Sequence, residues 1–158
     1  MAPTPSTLRP FMMLNKLRKL FDDPARHRPH LEVRHLEVAV ACLLHETTRV
    51  DLDELDEEHR VAGDALVQLF GVSAAESDAL LAQGREKARH LTSYYAPVSV
   101  IKRDWGQAHR VQLVEYLWRI AYADGKLDPH EDHYVRKIAH LLYVPNTQSM
   151  LARNRARG

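Results

Sequence analysis

LVEYLWRIAYADGKLDPHEDHYVRKIAHLLYV, residues Leu113 to Val144, holds two helical stripes separated by a single bend. In the first stripe Leu113, Val114, Leu117, Trp118, Ile120 and Ala121 recur at three- and four-residue spacings. That is the period of an α-helix with a wide apolar face, and the pattern predicts a helix over 107–123. In the second, Val135, Ile138, Ala139 and Leu142 continue the period until Pro145. The bend reads Ala-Asp-Gly-Lys-Leu-Asp-Pro-His-Glu. Gly125 can take the positive φ that follows many helix ends. Asp128, Pro129 and Glu131 then sit where a restarting helix wants an N-cap, a first-turn proline and a carboxylate near the positive end of its dipole.

Outward from this hairpin the same period continues. Towards the N-terminus, Leu36, Val40, Leu43 and Leu44 mark a helix from Leu31 to about Arg49. The loop VDLDEL follows, and Asp56 opens a helix carrying Val61, Ala65, Leu66 and Leu69 that stops at Gly71. Ser73 to Glu76 reads as a capping box, in which the serine hydroxyl accepts the Glu76 N–H and the glutamate reaches back. That helix extends to about His90; the next, Tyr94 to Trp105, has Pro97 in its first turn, and Gly106 interrupts the chain. A last short helix is expected over Ser149–Arg157. Residues 1–10, MAPTPSTLRP, read as a disordered tail. Residues 11–23 read as a short amphipathic helix, set apart by Pro24 and Pro29, with the main helical domain at 31–158. No stretch alternates with period two. The expected fold is all-α, one domain of about seven to eight helices.

Laid on itself at an offset of 72, the chain places Leu55-Asp56 on Leu127-Asp128, and Leu66, Leu69 and Val72 on Ile138, Leu141 and Val144. Each half is a long apolar helix, an acidic loop and a capped helix. Two such hairpins can bury their apolar faces against one another as pseudo-symmetric halves.

The totals narrow the function. A chain of 158 residues is enough for one core. With 22 basic and 21 acidic residues the net charge is +1, which argues against a nucleic-acid binder. Cys42 is the single cysteine, so neither an internal disulfide nor a cysteine cage for zinc is expected. No run approaches the ~20 apolar residues of a membrane span, and the N-terminal stretch interleaves Lys16, Arg18 and Lys19 with its apolar residues, unlike a signal peptide. A cytoplasmic protein is expected, with membrane association left to residues 12–22.

No nucleophile elbow, zinc-protease pair or phosphate loop is present, so no enzyme and no small-molecule substrate are expected. Cys42, His45 and Glu46 share one helix face, but a buried small cysteine accounts for that grouping. His130, His133 and His140 read as a solvated face. The bend after Asp124 is not an EF-hand loop, because the sixth and twelfth positions are Pro129 and Val135 instead of glycine and glutamate.

The Leu113–Val144 hairpin, with its Ala-Asp-Gly bend, apolar residue and helix-starting glutamate, resembles the second half of TerB-like (tellurite resistance protein B) domains. LLHETTRVDLDELDEEHR, Leu43 to Arg60, resembles the partner motif. The resemblance covers roughly 31–158 and implies an all-helical domain associated with tellurite and other stress responses, related to the N-terminal domain of DjlA-type, DnaJ-related co-chaperones. It implies a divalent-cation site (Ca, Mg, Mn or Zn, not distinguished) at Glu46, Asp51, Asp124 and Glu131, with Asp56 and Asp128 as secondary positions. The first half departs from the pattern. Leu52 stands where a glycine is expected, one residue is extra in that loop, and the helix-starting glutamate is either Glu58 or replaced by His59. Two readings of the acids therefore stand. They form a cation-binding or sensing site, or they serve as caps in a protein-interaction module of co-chaperone type. In the second reading Leu14, Leu17, Leu20 and Phe21 of the first helix dock on a protein partner or touch a membrane surface.

Overall fold

The computed structural model describes residues 34–48 and 57–158. The expected tail at 1–10, the helix at 11–23 with Leu14, Leu17, Leu20 and Phe21, and the loop acids Asp51 and Asp56 lie outside them. Among the described residues there are seven helices and no strand: α1 (34–48), α2 (Glu57–Phe70), α3 (Ala74–Arg89), α4 (Tyr95–Asp104), α5 (Gln107–Ala121), α6 (Pro129–Leu141) and α7 (Asn146–Arg157). From His35 onward they form one compact unit. None of them is by itself long and apolar enough to cross a membrane.

The first half is threaded on α1. Ala39 to Leu44 are six consecutive buried residues, so this helix is enclosed on every side rather than along one stripe. The second half is built around α5, whose Leu113, Val114, Leu117, Trp118, Ile120 and Ala121 are buried, and against which α2, α6 and α7 pack. Val98 and Ile101 of α4 join the same core.

The local stop and start signals behave as their chemistry dictates. Ser73 Oγ accepts the Glu76 N–H at 3.1 Å, and the Asp128 carboxylate accepts the His130 N–H at 2.7 Å. Gly71 and Gly125 carry φ of 66° and 82°, which glycine adopts without a Cβ clash. The last helix departs from expectation by starting at Asn146 rather than Ser149. Pro145, at φ −57° and ψ 146°, lies just outside its first turn, and its carbonyl accepts the Ser149 N–H at 2.9 Å. The helix α6 stops earlier, at Leu141, with the left-handed Tyr143 just beyond it, and Pro145 opens α7.

Candidate functional site

Glu46, half-buried in the last turn of α1, accepts the Tyr94 hydroxyl at 3.2 Å. Asp124 is exposed, and its carboxylate accepts the Lys126 N–H at 3.0 Å, closing the turn that Gly125 permits. Asp128 is the α6 cap. Glu131 is buried in the first turn of the same helix. Among the described residues no three His, Cys, Asp or Glu side chains are grouped to hold a metal ion.

The Cys42–His45–Glu46 face of α1 runs from a fully buried thiol to two half-buried side chains. Cys42 is fully buried and its thiol is pushed up to about 11, by burial first and then by the charge of Glu46, with Lys87 opposing. Zinc takes the thiolate, which this setting disfavours. His45 is held below the usual imidazole value of 6.5, mainly by burial, with Arg85, His59 and Arg89 adding to the shift and Glu46 opposing it. His130, His133 and His140 are exposed, as a solvated face requires.

The coordinates also fix the register of the repeat. Glu58, Ala62, Ala65 and Leu66 are the buried residues of α2; Glu131, Val135, Ile138 and Ala139 are those of α6. The two sets have identical spacing and lie 73 residues apart, as do the buried Val40, Ala41 and Leu44 of α1 and Leu113, Val114 and Leu117 of α5. The offset of 72 holds at the helix starts, Glu57 and Pro129, and past the helix ends, where Gly71 (φ 66°) stands to Tyr143 (φ 57°), while the buried stripes between them are displaced by 73. Glu58, not His59, is thus the counterpart of Glu131. Glu46 falls on Arg119, so it has no acidic counterpart in the second half.

Glu46 instead lines a groove. A cavity of about 450 Å³ opens between the end of α3, the start of α4 and one side of α6, with Leu91, Tyr94, Tyr95, Lys102, Lys137 and Leu141 among its walls. The rings of Tyr94 and Tyr134 meet edge to face at 5.4 Å, and the Tyr134 hydroxyl donates to the Leu43 carbonyl at 2.9 Å, tying α6 to α1. Burial, with Tyr94, Glu46 and Cys42 nearby, holds the Tyr134 phenol well above its usual 10.0. Lys137 Nζ lies 5.4 Å from the Tyr94 ring centre, and Lys102 Nζ lies 4.2 Å from that of Tyr143.

Comparison with known families matches residues 37–154 to the family described as tellurite resistance protein TerB. The chain belongs to the TerB family. No curated protein and no solved structure matches it significantly. The matched span runs from α1 into α7, so the matched residues of this TerB domain take in both halves of the repeat.

Sequence reasoning found the acids of this TerB domain and missed the groove. Lys102, Lys137, Tyr94 and Tyr95 come from two helices and a corner, with no spacing to announce them. Tyr143 did carry a signal: as the counterpart of Gly71 it occupies a position where a left-handed residue is expected.

Proposed function

We propose that this TerB domain is a non-enzymatic binding module of the tellurite-resistance context that recruits a protein partner. One observation carries the reading: three of the acidic side chains are engaged within the fold itself, Glu46 under the Tyr94 hydroxyl, Asp124 and Asp128 under backbone N–H groups. The first ties α1 to the α3–α4 corner, the other two shape a turn and a helix end, and none requires an ion. In this setting the acidic bends give the two hairpins their geometry, and recognition belongs to the surface they build.

A second reading, a divalent-cation sensor using Ca, Mg, Mn or Zn, draws on the repeated burial of Glu58 and Glu131. One experiment separates the two. The full chain is freed of metal with a chelator, and its melting temperature is followed with each of the four cations. An ion bound only to the folded state at ~100 times its Kd adds ~2.7 kcal/mol, roughly 5–10 °C for a chain of this size. The interaction reading expects no such shift, and expects affinity capture by the full chain to survive chelation while weakening when residues 1–22 are removed. A cation shift abolished by D124N/E131Q, with capture lost on chelation, would overturn it in favour of the sensor.

A further inference from the structure

We propose that the groove between the α3–α4 corner and α6 is the seat for an acidic, leucine-bearing segment of a partner protein, with Lys102 and Lys137 as its charged contacts and Tyr95 and Tyr143 as its aromatic rim. The inference rests on the binding-module reading and names the site and the chemistry of the partner. The cavity, about 450 Å³, falls within the ~300–1,000 Å³ typical of ligand sites.

Charge selects the ligand. Lys102 and Lys137 both face this cavity, each ammonium beside a tyrosine ring, and among the described residues neither is in an ion pair. The carboxylate in the wall, Glu46, is already engaged by the Tyr94 hydroxyl. The seat thus offers two separated cations beside one fixed anion. Spaced carboxylates suit that arrangement better than a dense run of phosphates, and the chain's net charge of +1 gives no wider field to hold a nucleic acid. Leu91, Val98 and Leu141 supply the apolar part of the wall, which calls for aliphatic side chains between the acids.

The rim supplies the independent observation. Tyr143 holds φ at 57° and is 70% exposed. At the equivalent place after α2 the chain uses Gly71, at φ 66°. An L side chain is strained there and glycine is not. The left-handed turn itself closes α6, with the Val144 N–H donating to the Ala139 carbonyl at 2.9 Å and Val144 buried, but that closure would serve a glycine equally well, and the tyrosine ring points outward under Lys102. Strained backbone carrying an exposed functional group is a mark of binding sites. Tyr95, 76% exposed, adds a second ring at the mouth of the cavity. Tyrosines of this kind are over-represented among the residues that dominate interface energy.

The test is fluorescence anisotropy on the full chain with a labelled octapeptide of alternating glutamate and leucine, a lysine–leucine peptide as control and inorganic polyphosphate as competitor. Saturable, salt-sensitive binding of the acidic peptide is expected, weakened about tenfold or more in K102E/K137E. Y143G should also weaken it while melting no lower than the parent. If the double variant does not fold, Y95S, altering a ring exposed to solvent, takes its place. The proposal is overturned by no saturable binding to the parent, undiminished binding to K102E/K137E or to Y95S, equal binding of the basic peptide, or displacement by polyphosphate at matched charge. Should chelation-resistant partner capture persist while the peptide fails, the groove is wrong and the module reading stands; cation-dependent capture is the opposite case.

Discussion

Gly84 and Gly63 are both helical glycines, and the surroundings give them opposite meanings. A Cβ on Gly84 would stand 2.6 Å from the Ala41 carbonyl carbon and 2.7 Å from the Cys42 nitrogen. Those are backbone atoms of a fully enclosed helix, so α1 and α3 would have to part. A Cβ on Gly63 would meet only Ser77 Oγ at 3.5 Å and a Leu81 methyl at 3.8 Å, ordinary contacts. Gly84→Ala is therefore expected to cost roughly 1–3 kcal/mol through overpacking, lowering the melting temperature by about 2–12 °C. Gly63→Ala should gain up to ~1 kcal/mol from helix propensity. A thermal melt in which both variants move the same way would refute the α1–α3 crossing. The sequence contained no hint of this contrast. Each glycine sits in a polar-looking helical stretch, and only the distant partner at Ala41 distinguishes them.

At the scale of elements, signals carried by neighbours in sequence were legible and signals carried across space were not. Ser73, Asp128, Gly71 and Gly125 act through atoms a few residues away, and each does in the structure what its spacing announced. The start of α7 was misread because its apolar stripe is thin: Ser149 and Ala152 are its buried residues. What docks it is remote. Trp118 Nε1 donates to Ser149 Oγ at 3.3 Å, Arg153 Nε to the Tyr122 hydroxyl at 2.8 Å and Arg155 Nε to Glu115 at 3.2 Å. The same reason hid the groove, whose lysines and tyrosines meet only when α3, α4 and α6 are in place. Ser149→Ala would leave the buried indole N–H without its acceptor, at a cost of about 1–2 kcal/mol. Thr147→Ala, on the exposed side of the same helix, should be neutral within ~0.5 kcal/mol. Equal urea midpoints for the two variants would count against the Trp118–Ser149 clasp.

For the whole molecule, the seam between α1 and its neighbours should set the dependence of stability on pH, and the signs follow from the directions of the shifts. His45 is held below 6.5 in the folded state, so the fold prefers the neutral ring. Its contribution is complete above 6.5 and is lost as pH falls from there through the lowered folded value. Cys42 and Tyr134 are shifted the other way. Folding keeps their protons on, so their contribution is complete below the usual thiol value of 9.0 and phenol value of 10.0 and is lost as pH rises beyond them, for Cys42 through about 11. The acid and alkaline limbs thus come from one region, where Tyr134 reaches Leu43 and Glu46 faces both His45 and Tyr94. Chemical denaturation across the pH range should show a plateau between about 6.5 and 9 with a decline on each side. His45→Gln should flatten the acid limb below 6.5, leaving whatever slope the carboxylates add at lower pH, and should not alter the alkaline one. Tyr134→Phe, which deletes the phenol proton, should lower the plateau through its lost hydrogen bond and soften the alkaline limb. A parent profile that stays level from pH 5 to pH 10.5, or a His45→Gln profile that keeps the decline just below 6.5, would show that the histidine at the end of α1 is not held neutral by the fold.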